Sequence, residues 1–255
     1  MRRRERVPGR RVEVDGLRVH YREAAWAPPG SPVVVAVHGL GLSATSMLPL
    51  ARELAPRHRV LVPDLPGHGR SQRPPREPGV AELSDLLARF AQRLGVRRAA
   101  FLGGSIGAQV VMNLAVRHRE LARALVLVGP THDPGAPSPW QQAVRVLRDA
   151  ARERWTLTPL AAASYLDAGP GRMWRLLEDA LRQSHEGLQR LEVPTLVVRG
   201  ERDPVATQPW AERIAHLAPE ADLHVVPGAA HAPNWSRPRE LAAVVEAFLS
   251  RTGAA

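Results

Sequence analysis

Gly103-Gly104-Ser105-Ile106-Gly107 is the stretch of this sequence with the strongest claim to chemistry. The serine has glycines two positions to either side. It follows the apolar run Ala99–Leu102 and precedes Ile106, Val110, Val111 and Leu114, which recur at helical intervals. A serine held in a sharp strand-to-helix turn needs such small neighbours, because strand and helix approach closely there. The turn would lift the hydroxyl to a helix N-terminus, where the first backbone N–H groups lack intrahelical partners and favour negative charge. That arrangement suits attack on a carbonyl carbon; the alternative is a glycine-rich turn that binds a phosphate or nothing.

A serine hydroxyl is a weak nucleophile and requires an adjacent base. Ten histidines are available, and position chooses among them, since catalytic groups of an open α/β sheet gather at the carboxyl ends of strands. His231 follows the strand-like Leu223–Val226 in the loop Gly228-Ala229-Ala230-His231-Ala232-Pro233, and is the expected general base. His224 lies inside that strand and His216 near a helix end, while His20, His58 and His118 read as surface or packing residues. The acid that orients the imidazole should follow an earlier strand. Asp203, in the turn after Thr195–Gly200, is the expected residue, with Asp133 its rival. Acyl transfer also needs donors for the oxyanion: the N–H of Ile106, and that of Leu40 in the loop His38-Gly39-Leu40-Gly41. Loss of the His231 proton would make activity rise through an apparent pKa of about 6 to 7.

The elements that must position these groups alternate. Val12–Val14 and Leu17–Tyr21 flank Asp15-Gly16, a two-residue hairpin signal. Val33–Val37 is continuously apolar, as in a strand buried on both faces. Arg59–Val62, Ala99–Leu102, Ala124–Val128, Thr195–Val198 and Leu223–Val226 read as further strands. Met47–Ala55, Val80–Leu94, Trp210–Leu217 and Arg239–Leu249 read as helices between or after them. This pattern predicts a mostly parallel central sheet with helices on both faces. From about 131 to 191 no strand is evident, but Gln141–Arg154 and Met173–Leu181 have helical spacing. The expected organisation is a core of residues 1–130 and 192–255 with a small helical cap, 131–191, inserted after the sixth strand. Trp140, Trp155, Tyr165, Met173 and Trp174 are its candidates for lining a pocket, joined by His38, Gly39, Gly41 and Trp235 from the core; His38, at a strand end, is expected to hydrogen-bond backbone and shape its loop.

The chain has 255 residues, no cysteine, 24% charged residues and a formal net charge of +10. Disulfides, thiolate metal sites and cysteine nucleophiles are excluded. All 35 basic residues are arginine, spread along the chain beside abundant alanine, proline and glycine, which reads as coding bias rather than a phosphate footprint. The dense cluster Arg2-Arg3-Arg4 with Arg6, Arg10 and Arg11 reads as a solvated tail. No run approaches the roughly 18 apolar residues of a membrane span, and no apolar segment follows the basic N-terminus as in a signal peptide. The expectation is a cytoplasmic protein acting on a small molecule, without nucleic-acid or membrane partner and without metal or organic cofactor. Monomer and homodimer remain open.

The motifs together resemble the α/β-hydrolase superfamily along nearly the whole chain. His38-Gly39 resembles its HG oxyanion motif, Asp64-Leu65-Pro66-Gly67-His68-Gly69-Arg70-Ser71 its D-x-P-G-x-G-x-S loop, and Gly103–Gly107 its nucleophile elbow. Gly200-Glu201-Arg202-Asp203 and Gly228–His231 resemble its acid and histidine loops, and the order Ser, Asp, His agrees. The resemblance implies the α/β-hydrolase fold and hydrolysis of an ester, thioester or lactone of a small to medium apolar acyl group through an acyl-enzyme. Ser105-Ile106-Gly107-Ala108 departs from the common S-M-G-G elbow, placing a β-branched residue beside the serine. Ala229–Trp235 is loosely similar to meta-cleavage-product hydrolases, so carbon–carbon bond hydrolysis, or perhydrolysis, is the alternative on the same three residues. A non-catalytic small-ligand binder is the alternative of another class. A serine at this position excludes the aspartyl-ester route of haloalkane dehalogenases and epoxide hydrolases.

Overall fold

A computed structural model of the chain describes residues 7–131, 133–183 and 186–254. Arg2, Arg3, Arg4 and Arg6 of the basic N-terminal cluster lie outside these; Arg10 pairs with Glu23 at 2.9 Å. Strands β1 (Gly9–Val14), β2 (Leu17–Ala24), β3 (Val33–Val37), β4 (Arg59–Pro63), β5 (Ala99–Gly104), β6 (Ala122–Val128), β7 (Thr195–Gly200) and β8 (Ala221–Val226) form one sheet. Their order is β1-β2-β4-β3-β5-β6-β7-β8. β1 and β2 are antiparallel, joined through Asp15 and Gly16 at φ 49° and 75°, and β2 runs antiparallel to β4. From β4 to β8 every pairing is parallel. This is the α/β-hydrolase fold.

The apolar runs are continuous because both faces of the sheet are covered. Val35 and Val37 of β3 pack with Phe101 and Leu125 under one helical layer, formed by α2 (Val80–Arg93), α3 (Ile106–Arg117) and α8 (Gln208–Leu217). Val34 and Ala36 point the other way, with Leu102 and Val126, onto α1 (Leu48–Leu54) and α10 (Pro238–Arg251). Side chains alternate along a strand, so one run must satisfy two apolar layers. A burial of this kind contributes about 1.5–3 kcal/mol for each large aliphatic side chain.

Between β6 and β7 the described residues form helices only: α4 (Pro139–Ala150), α5 (Thr158–Ala168), α6 (Pro170–Arg182) and α7 (Glu186–Gln189). Ser138 opens α4 with a reciprocal cap, its hydroxyl accepting from Gln141 N–H at 3.2 Å while the Gln141 side chain accepts from Ser138 N–H at 3.1 Å. The sequence predicts a helix over Gln141–Arg154, but α4 stops at Ala150. The sequence predicts no helix at α5, because its alanines at 161, 162, 163 and 168 blur any apolar stripe. After β8 a short helix, α9 (Pro233–Ser236), precedes α10. No helix among the described residues is long and apolar enough to cross a membrane.

Candidate active site

Ser105 stands between β5 and α3 at φ 56°, ψ −123°. Such a conformation costs a non-glycine residue about 1–3 kcal/mol and persists only where the surroundings enforce it. Here they do. The Ser105 N–H donates to Val128 O on β6 at 2.8 Å. A Cβ on Gly103 would fall 2.2 Å from Gly107 O, and one on Gly107 would fall 2.6 Å from His38 O. Only glycine permits this approach of strand, helix and the His38–Gly41 loop. The Ser105 hydroxyl makes no capping hydrogen bond, which leaves it free to act outward.

His231, expected from its loop, lines a narrow cleft with Ser105, Gly39, Met47 and Asn234. Its Nδ1 is 2.8 Å from Asp203 Oδ2. Its Nε2 is buried and has no hydrogen-bond partner. A carboxylate at Nδ1 fixes the proton there and leaves Nε2 as the atom that can accept one. The other Asp203 oxygen accepts from Val205 N–H at 2.7 Å and Ala206 N–H at 3.0 Å, so the carboxylate is locked at both ends. Buried Arg199 braces the same turn through Ala206 O, Glu201 O and Asp203 O. In the sequence Arg199 is marked only as the one charged residue in the otherwise apolar β7 run Thr195–Gly200. Gly200 carries a second requirement, since a Cβ there would lie 2.0 Å from Ala230 O and force the acid and histidine loops apart. Asp133, the rival acid, is held elsewhere by Arg145 at 2.5 Å, Thr207 at 2.8 Å and Gly135 N–H at 2.8 Å.

The loop facing Ser105 is fixed from behind. His38 is fully buried; Nδ1 donates to Gly39 O at 2.8 Å and Nε2 accepts from Leu65 N–H at 3.0 Å. Burial lowers its pKa, so both contacts are those of a neutral imidazole. His38 thus shapes the loop through backbone, as its strand-end position predicts; it lines no part of the cavity for which it was also a candidate. Asp64 ties the neighbouring loops together, accepting from Ala44 N–H at 2.6 Å and Arg70 N–H at 2.9 Å and meeting His20 Nδ1 at 2.7 Å. This knot explains the Asp64–Ser71 motif as scaffolding for the loop that carries Leu40.

A cavity of about 370 Å³ opens above Ser105, between that loop and the helices after β6. Gly39, Leu40, Ile106, Tyr165, Met173 and Trp174 line it, with Val146, Leu147 and Leu177 completing an apolar wall. Gly41, at φ 67°, sits behind this wall; a Cβ there would strike Tyr165 at 2.3 Å and Met173 Sδ at 2.4 Å. Three tryptophan candidates lie elsewhere. Trp140 is 69% exposed at the start of α4. Trp235 turns its indole N–H to Thr156 Oγ1 at 3.0 Å, serving the contact between the inserted helices and the histidine loop. Trp155, 81% exposed, is likewise outside the cavity. Among the described residues no group of three or more His, Asp or Glu side chains is arranged to hold a metal ion.

Electrostatics depart from the sequence-based expectation at His231. Burial acts to lower its pKa, but Asp203, with Asp149 and Glu153 from the inserted segment, outweighs burial and raises it to about 9. This lies above the range of about 6 to 7 expected from sequence: Asp203 raises the pKa most, and Asp149 and Glu153, which no local pattern links to His231, add to it. Burial in turn raises Asp149 to about 6 and pushes Glu153 upward.

A sequence profile described as the alpha/beta hydrolase family matches residues 34–244 of this chain. Curated relatives that match at 31–39% identity do so over 32–44% of their own length. One is the magnesium-chelatase 30 kDa subunit of Rhodobacter capsulatus, 39% identical over 90 residues, which are 35% of this chain and 32% of that one. Among solved structures, a membrane phospholipase A described as a bacterial virulence factor superposes with a TM-score of 0.84 at 25% identity, covering 98% of this chain and 87% of that one. A meta-cleavage product hydrolase of Pseudomonas fluorescens IP01 superposes at 0.79 with 23% identity, covering 95% and 98%.

Proposed function

This chain belongs to the alpha/beta hydrolase family, and we propose that within it the protein is a serine hydrolase that cleaves an ester, thioester or lactone of an apolar acyl group. The observation that carries the reading is the convergence of Ser105, held at φ 56°, with the unpartnered Nε2 of His231 in one cleft. His231 Nε2 takes the Ser105 proton as Oγ attacks the carbonyl carbon. The N–H groups of Ile106 and Leu40 receive the oxyanion; Ile106 is the first residue of α3 and so has no intrahelical partner for its N–H. The imidazolium returns the proton to the leaving oxygen or sulfur. Water, deprotonated by the same nitrogen, then releases the acid. The helices between β6 and β7 act as the cap, and the apolar wall over Ser105 favours an uncharged acyl chain.

Intact mass after exposure to a fluorophosphonate tests this. One adduct is expected on the wild type and none on Ser105→Ala. A folded wild type that takes no adduct overturns the reading and favours a ligand-binding protein.

The base must be neutral to accept a proton, so activity should grow as pH rises through the folded pKa of His231. With that value near 9, kcat/KM for an ester, after subtraction of spontaneous hydrolysis, is expected still to be climbing between pH 8 and 9. A plateau reached below pH 7 would show that the carboxylates around His231 do not hold its proton.

A further inference from the structure

The inserted segment sends two carboxylates into the histidine loop. Asp149 Oδ1 accepts from His231 N–H at 3.0 Å, and Glu153 Oε1 accepts from Ala232 N–H at 2.5 Å. Asp149 is 7% exposed, and the second oxygen of Glu153 is buried without a partner. Desolvating a carboxylate is costly unless charge and hydrogen bonds compensate. Among the described residues the other buried acids have a side-chain partner of their own: Glu23 has Arg10 and Arg59, Asp133 has Arg145, Asp64 has His20 and Asp203 has the His231 ring. Among the described residues no arginine pairs with Asp149 or Glu153, although 35 arginines are present in the chain. Asp149 also occupies the last turn of α4, where the helix dipole disfavours a negative charge. Neither local helix stability nor ion pairing accounts for these two acids. Their common partner is the loop of His231.

We propose that Asp149 and Glu153 are positioning residues for His231: their carboxylates clamp the backbone N–H groups of His231 and Ala232, so that the seating of the inserted helices over the cavity fixes the placement and charge of the imidazole. The proposal rests on the serine-hydrolase reading above. Asp203 fixes the ring from its Nδ1 side, and the two clamp residues hold the backbone from the opposite element. Besides each other, Asp149 and Glu153 face His231 and Asp203, and Asp149 also faces the phenol of Tyr165 in the cavity wall. All three carboxylates favour the imidazolium that forms as Ser105 is deprotonated. Helices lifted from the cavity would carry two of them away and leave two backbone donors unsatisfied, so the base is complete only when the acyl site is covered.

Two readouts on Asp149→Asn, Asp149→Ala and Glu153→Gln test the clamp: the His231 imidazole titration by NMR, assigned against His231→Gln, and the rate of fluorophosphonate labelling against pH. Asn and Gln keep an acceptor for the backbone N–H and remove the charge. Each should lower the His231 midpoint by about one pH unit, move the rise in labelling to lower pH and leave its plateau within a few-fold of wild type. Asp149→Ala also removes the acceptor, and its plateau should fall about tenfold or more. A labelled wild type whose midpoint and plateau are unaltered by any of the three substitutions overturns the clamp alone. A wild type that takes no label at any pH overturns the nucleophile assignment, and the clamp's role with it.

Discussion

Replacing Ser105 with glycine is expected to abolish hydrolysis and to raise the melting temperature at the same time. The backbone at 105 has φ 56° and ψ −123°, imposed by the Val128 hydrogen bond and by the contacts of Gly103 and Gly107. Strain of that kind is worth about 1–3 kcal/mol. Glycine relieves it and gives back about 0.5–1 kcal/mol through the greater freedom of the unfolded chain. The hydroxyl contributes no capping bond to be lost. A net gain of about 1 kcal/mol corresponds to a rise of about 2–4 °C in a domain of this size. Ser105→Ala retains Cβ and the strain, and should melt with the wild type. Both variants should lose kcat by a factor on the order of 10⁶, the scale seen when a serine nucleophile is removed. Calorimetry beside ester hydrolysis checks both parts. A glycine variant that melts below the alanine variant would refute the strain argument, and about 1% residual kcat in either would refute Ser105 as the nucleophile.

What could be read from the sequence follows from what is local. The β3 run Val33–Val37 is apolar at every position because the two faces of the sheet both demand it, and the same demand marks β5 and β6. Ser105, Asp203 and His231 stand out in the sequence because each follows a strand of the parallel set, where the fold delivers side chains to one end of the sheet. Contacts between segments distant in sequence left weaker marks. Asp149 and His231 are 82 positions apart, and no periodicity connects them; the one hint was an acid in the wrong turn of α4. Trp140 and Trp155 were misplaced into the cavity because aromatic type alone does not say which side of a helical layer a residue occupies. The other three candidates from that segment, Tyr165, Met173 and Trp174, do line the cavity, joined by Val146 and Leu147, which carry no aromatic mark. The backbone role of His38 is legible from its strand-end position, from which a neutral imidazole can bridge two backbone segments.

Asp203→Asn should lower kcat by about 10⁴, whereas Asp133→Asn should change it by less than about tenfold. The asparagine can still accept from Val205 and Ala206 N–H through one oxygen, so the turn is kept. What it then offers His231 Nδ1 is an NH₂ group, a donor. Nδ1 must become the acceptor, the ring proton moves to Nε2, and the nitrogen facing Ser105 can no longer take a proton. Asp149 cannot substitute, because its oxygen is engaged by the backbone N–H of His231 rather than by the ring. Asp133 lies in a separate network with Arg145 and Thr207, so its amide variant should lose stability before turnover. A larger loss in kcat for Asp133→Asn than for Asp203→Asn would reverse the assignment of the orienting acid. The pH at which the comparison is made also separates two causes. Removing Asp203 takes away the strongest attraction that opposes burial at His231, so the imidazole should be neutral to lower pH than in the wild type. If charge on the base alone limited turnover, Asp203→Asn would be the faster enzyme at pH 7. A fall of about 10⁴ at that pH can come only from the misdirected tautomer and the unsupported imidazolium of the transition state.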